Sequence, residues 1–258
     1  DFCLSRGLGD VYKRQILYVA NSRFDMVYLA VELSAVTAFV LAVLFYKDAD
    51  QLEEERVRRD ARIIFSDMFT AWKKIVHDIR IIVTSSVESM QYLTYGAFEF
   101  FLILYARSIG LNDLEIGFVS GIQLVSVVLS KPLMGRLSDR AGRRLIIIAG
   151  LTLGGAALIL TSLAYDFPSL SAISIPYGVG FAAVTSSTAA YVSDLTTKED
   201  YGSAMGFLST IMDVGQSLGP IITAFVVQFL DYARAFELLG AFLLTVLVPF
   251  LLVTRKTP

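Results

Sequence analysis

Glu88, Tyr92, Tyr95 and Glu99 follow one another at intervals of four, three and four residues, which sets two carboxylates and two phenols on one face of a helix. They lie in an apolar stretch from about 84 to 106. A charge inside hydrocarbon costs several kcal/mol, so it faces a cavity or a partner. The tyrosine rings offer surfaces on which an aromatic or cationic solute stacks. A carboxyl taken out of water favours its neutral form, which suits it to exchanging protons. Glu99 is placed in such a cavity, whereas Glu88 either joins it or lies at the membrane interface. Asp213, with Gln216 one turn on and Ser217 beside it, forms a second polar group next to Pro220. It either lines the same cavity or caps a kinked helix. Glu32, Gln123 and Tyr177 are further polar groups in apolar surroundings.

The elements that position these groups are long and apolar. Hydrophobic residues make up 55% of the 258 residues, and the mean hydropathy is +0.63, too apolar for an ordinary soluble domain. A helix needs about 20 residues to cross ~30 Å of hydrocarbon. Seven stretches qualify, near 26–46, 84–106, 114–134, 145–165, 170–191, 205–227 and 235–253. The expected fold is therefore an all-α membrane protein with seven transmembrane helices.

The basic residues set the orientation. Of 22 Lys and Arg, eight lie between the first two stretches, four between 135 and 144, one at Lys198 and two at Arg255 and Lys256. The opposite connections carry only Arg23, Arg107 and Arg234. Basic connections stay in the cytoplasm, so the first crossing starts outside and the C-terminus is cytoplasmic. Lys131 is assigned to a helix end, with its ammonium snorkelling to the interface. The net charge of −2 gives no reason to expect a nucleic-acid partner.

Four regions follow. Residues 1–15 lack a sustained apolar run, resemble translated adapter sequence and are set aside as a non-native leader, together with Cys3. Residues 16–46 hold one crossing, and 47–83 form a polar linker. In that linker Phe65, Met68, Phe69, Trp72, Val76 and Ile79 recur at helical spacing, with Lys73, Lys74 and Arg80 off the stripe. This predicts an amphipathic helix, either on the membrane surface or packed on the ends of the bundle. Residues 84–258 hold the other six crossings. His77, on the linker, has no ligand cluster around it, and no metal or cofactor is expected.

Between the third and fourth stretches, Gly135, Asp139, Arg140, Gly142, Arg143 and Arg144 follow the pattern G-x-x-x-D-[RK]-x-G-[RK]-[RK]. Glycines suit a tight turn or a close helix approach. The pattern resembles the loop joining two transmembrane helices in the major facilitator superfamily. The resemblance implies a helical bundle cut from a twelve-helix transporter: its sixth crossing, the central linker and crossings seven to twelve. It also implies that Asp139 sits at the positive end of a helix of the other half and pairs with nearby arginines in one access state, as a latch. Arg140, Arg143 and Arg144 would then meet anionic lipid. An alternative register places the six crossings in the front half.

A second pattern, G-x8-G-x3-G-P, runs through Gly206, Gly215, Gly219 and Pro220 and resembles the antiporter signature of facilitator drug exporters. It departs where Thr223-Ala224 replaces a glycine pair, and the family carries it in the fifth crossing rather than the eleventh. In physical terms the glycines allow helix packing and the proline a kink.

The function implied is secondary active transport of a small solute by alternating access, with proton-coupled efflux of drug-like compounds foremost. The partners implied are the lipid bilayer, the solute, protons and the missing N-terminal half, in a prokaryotic inner membrane. Uptake of sugar, organic acid or peptide is the alternative. A seven-helix receptor or retinal protein fits the topology but not the pattern at 135–144, and 235–253 lacks the lysine that a retinal Schiff base requires. No nucleotide-binding loop or nucleophile cluster points to an enzyme.

Overall fold

The computed structural model describes residues 78–198 and 200–254, together with Leu33, Val36, Thr37, Phe39, Val40, Trp72 and Ile75. Residues 1–15, His77, Glu32 and most of the linker stripe lie outside the described residues, as does most of the crossing expected at 26–46. Of that crossing, the five described residues are helical.

From Ile79 onward the chain is a succession of helices: α1 (Ile79–Ser108), α2 (Asp113–Ala141), α3 (Arg143–Thr161), α4 (Phe167–Leu195), α5 (Tyr201–Val227), α6 (Tyr232–Thr245) and α7 (Leu247–Thr254). Four of the six expected crossings from 84 onward correspond to single helices long and apolar enough to span a bilayer, and the last is shared by α6 and α7 over Tyr232–Thr254. The remaining one, α1, has 30 residues and carries Glu88 and Glu99.

The helix ends follow local chemistry. Asn112 and Glu115 form a reciprocal capping box at the start of α2, and Asp166 with Ser169 does the same for α4, satisfying amides that have no partner within the helix. The Ser169 bonds hold the Asp166 carboxyl below the usual range. Gly110, at φ +91°, turns the chain out of α1. Pro249 explains the break before α7. Its ring removes one backbone donor and clashes with the carbonyl four residues earlier, which belongs to Thr245, the last residue of α6.

Packing centres on α1 and α4. Helix α1 runs along α5, while α4 is flanked by α2 and α3, and α6 closes against α3 and α1. Phe98, Leu102, Tyr177, Leu158, Phe236 and Leu243 form the continuous core. The outer faces are apolar: Leu114, Phe118, Leu129 and Leu133 on α2, and Ile221 and Phe225 on α5, are all exposed. So much exposed apolar surface suits hydrocarbon rather than water. On α5 only Ala204, Leu208, Gly215, Gly219 and Thr223 are buried, one narrow stripe.

Two described residues of the linker, Trp72 and Ile75, pack on the helix ends. Trp72 meets Phe207 edge-on, with ring centroids 5.6 Å apart, and Ile75 is buried with Ile81, Val192, Ala204 and Leu208. These two contacts are with the bundle; the rest of the expected linker helix lies outside the described residues. Asp78 caps α1 and pairs with Arg80 at 2.8 Å. The hydrogen bond from Arg80 holds the Asp78 carboxyl below its ordinary range. Its stabilising effect is therefore present above the unfolded value of ~3.9 and lost only as the pH falls through its lower folded value, well below neutrality.

Candidate functional site

The polar stripe of α1 divides along its length. Glu88 is 3% exposed, and Thr188 of α4 donates its hydroxyl to Glu88 Oε2. Thr188 Oγ1 also lies 2.9 Å from the Val184 carbonyl. A threonine hydroxyl has one proton, so it satisfies both partners in turn. Facing a carboxylate it donates to Glu88; facing a carboxylic acid it accepts from Glu88 and donates to Val184. The site thus holds either protonation state without leaving a buried donor unpaired.

One turn further, Tyr92 and Tyr95 are half-buried against Phe181 of α4. Tyr95 stacks on Phe181 with centroids 4.2 Å apart, and Tyr92 meets it edge-on at 5.1 Å. Lys131 of α2 places its Nζ 5.9 Å from the Phe181 centroid and within electrostatic range of Glu88. The assignment of Lys131 to a helix end is corrected here, because α2 continues ten residues beyond it, to Ala141. It is the one basic residue within the stretch 114–134, and it is exposed on α2 while its ammonium reaches toward the Phe181 ring.

At the far end of the stripe Glu99 is exposed rather than buried. It lines an open groove of about 590 Å³ with Gly96, Phe100, Asp213, Gln216 and Pro220 among its walls. Asp213 and Gln216 thus join Glu99 rather than Glu88. Gln123 and Tyr177 are buried, and Tyr177 packs on Phe98 with centroids 4.2 Å apart.

The glycines of α5 differ from one another. A Cβ on Gly215 would collide with the Ser89 carbonyl, and one on Gly219 with the Leu93 carbonyl. On the other side, a Cβ on Gly96 would strike the Gln216 carbonyl, the carbonyl whose helical donor is missing because residue 220 is proline. Gly206 has nothing within 4 Å of its Cβ position among the described residues, so its assigned packing role has no counterpart there.

The segment 135–144 is not the loop that was expected. Helix α2 runs through Gly135 to Ala141, and Gly142 alone, at φ +97°, turns the chain into α3. Gly135 is helical with open space around it. Arg143 bonds to Asp139 one turn away and to Asp194 at the end of α4, at 3.0 Å. Asp194 lay in no recognisable pattern, because a contact 51 residues away has no local signature. Arg140 is exposed and Arg144 half-buried. Since both acidic partners of Arg143 are more than half exposed, Arg143→Gln is expected to lower stability by only about 1 kcal/mol, read from thermal unfolding in detergent.

A family model described as Major Facilitator Superfamily matches residues 84–258, the helices just described. The chain belongs to the Major Facilitator Superfamily. Its similar relatives within the superfamily include the multi-drug resistance efflux pump PmrA of Streptococcus pneumoniae, 30% identical over 152 residues, which are 55% of this chain and 37% of that protein. Multidrug resistance protein 2 of Bacillus subtilis is 27% identical over 125 residues, 48% of this chain and 31% of the relative. Quinolone resistance protein NorA of Staphylococcus aureus is 24% identical over 140 residues, 54% and 36% of the two chains. The matches thus span only about a third of these relatives.

Proposed function

We propose that this facilitator chain is the back half, with the preceding crossing, of a proton-coupled exporter of drug-like solutes in a bacterial inner membrane. The observation that carries the reading is Glu88, a buried carboxyl whose threonine partner accommodates both protonation states. Beside it lies an aromatic surface of Tyr92, Tyr95 and Phe181 suited to planar solutes. The names of the relatives support efflux as the direction, and their greater length supports a partner half supplied by the same protein.

In the alternating cycle a proton enters Glu88 from one side and leaves to the other, while the solute moves oppositely. The groove between Glu99 and Asp213 holds the cationic end of a solute. Asp139, shared between Arg143 and the facing helix of the other half, is the latch on the cytoplasmic rim, and Asp194 keeps Arg143 in place when Asp139 is released. The basic connections set that rim and the C-terminus in the cytoplasm.

The test is transport by the full-length protein in proteoliposomes under an imposed pH gradient. An aromatic cationic dye is expected to accumulate against its gradient and to stop doing so when a protonophore collapses the gradient. Dye movement indifferent to the protonophore removes the proton coupling. Asp139→Asn is expected to slow the cycle with membrane insertion unchanged, and unaltered kinetics would remove the latch.

A further inference from the structure

Lys131 carries a charge inside the span of α2 and makes no ion pair among the described residues. Its ammonium lies instead 5.9 Å from the Phe181 centroid. Phe181 stands thirteen residues before Asp194 on α4, about 20 Å along the helix from the rim where Asp194 meets Arg143. The lysine therefore points into the bundle rather than snorkelling to that rim. A charge held at such depth needs a cavity or a partner. Glu88 is within its electrostatic range, and the carboxyl and the ring are near neighbours. Tyr92, which meets Phe181 edge-on at 5.1 Å, is one turn from Glu88, about 6 Å along α1.

The ammonium thus has two anchors of unequal strength. A ring attracts it through a quadrupole and a carboxylate through a full charge, so the carboxylate wins when both are offered. A lysine stem is flexible enough to serve either. While Glu88 is neutral the ring is the better anchor, and the ammonium stays against the cluster of Tyr92, Tyr95 and Phe181. Once Glu88 is ionised the ammonium is drawn to it. That cluster is also the surface assigned above to a planar cationic solute, and two cations repel one another over the same rings. We propose that Lys131 is a tethered competitor of the solute: it covers the aromatic cluster while Glu88 holds a proton and withdraws to Glu88 once the proton leaves, so that proton and cationic solute exclude each other.

The step balances without a co-reactant. The Glu88 O–H bond breaks, the proton leaves to solvent, and the ammonium becomes the counter-charge of the carboxylate; no bond of Lys131 forms or breaks. The charged and titratable groups bearing on the exchange come from three helices. Lys131 of α2 acts on Glu88, and Glu88 in turn acts on Tyr92 of α1. Asp213 of α5 acts on Tyr92, and Glu99 of α1 acts on Tyr95. From α4, Thr188 meets Glu88 and Phe181 meets Lys131, and neither titrates. The two groove carboxylates therefore draw a cationic solute toward the same tyrosines from the other side.

The inference rests on Glu88 as the proton carrier, and the two are separable by the binding of ethidium, an aromatic cation, to the full-length protein in lipid nanodiscs at a series of pH values. In the wild type the affinity read from fluorescence is expected to rise about tenfold or more as Glu88 ionises. Glu88→Gln holds the site neutral and is expected to bind weakly at every pH. Adding Lys131→Gln to Glu88→Gln is expected to restore tight binding. Lys131→Gln alone, and Lys131→Met likewise, should bind tightly with no pH dependence, whereas Lys131→Arg keeps the wild-type slope. Weak binding by the double variant overturns the competitor and leaves Glu88 as carrier. So does a Lys131→Gln variant whose affinity changes equally at every pH, the outcome expected of a lysine that merely adds positive field or pairs with the missing half. Wild-type affinity and slope in Glu88→Gln overturn both readings.

Discussion

Glu88→Gln in the full-length protein is expected to reduce pH-driven transport to the level of empty vesicles while the protein still inserts and folds. The side chains have nearly the same volume, and the amide can donate to Thr188 Oγ1 as a neutral acid does. What is lost is the exchangeable proton. Glu99→Gln is the informative contrast. Glu99 is exposed in the groove, so its loss should weaken binding of cationic solutes and leave the pH dependence intact. Asp78 does not confuse this test, since its carboxyl is held below the ordinary range by Arg80 and stays ionised across the pH range of transport. Persistence of the full pH response in Glu88→Gln would move the coupling role elsewhere.

Gly219→Ala is expected to destabilise the bundle by about 1–3 kcal/mol, the range for forcing an extra group into a packed site. The new methyl would lie inside the contact distance of the Leu93 carbonyl, and backbone cannot yield as a flexible side chain does. Helices α1 and α5 would separate, and with them Glu99 and Asp213, which face the same groove from those helices. Gly219→Leu should prevent the contact altogether. Gly206→Ala, thirteen residues earlier on the same helix, meets nothing within 4 Å. It is expected to be neutral or slightly stabilising, because alanine favours helix over glycine by up to ~1 kcal/mol. Thermal unfolding of the three variants in detergent measures the difference. Equal effects at positions 206 and 219 would show that helix propensity, and not the close approach, decides.

The sequence by itself determined the class of the protein and the run of its helices. Spans of apolar residues follow from the thickness of hydrocarbon, and the pattern from Gly135 to Arg144 pointed to the superfamily before any packing was known. The face shared by Glu88, Tyr92, Tyr95 and Glu99 was equally legible, since helical register is a local property.

Which of those carboxyls is buried was decided only by tertiary structure. Glu88 and Glu99 read alike along the chain, but α4 lays Thr188 over one and α5 leaves the other facing a groove. The same holds for the glycines, where 215 and 219 meet α1 and 206 meets nothing, and for Asp194, whose role depends on α4 ending beside Arg143. The physical reason is common to all three. A helix dictates which residues share a face, but only its neighbours dictate what that face touches, and desolvation, hydrogen bonding and close approach are properties of the contact.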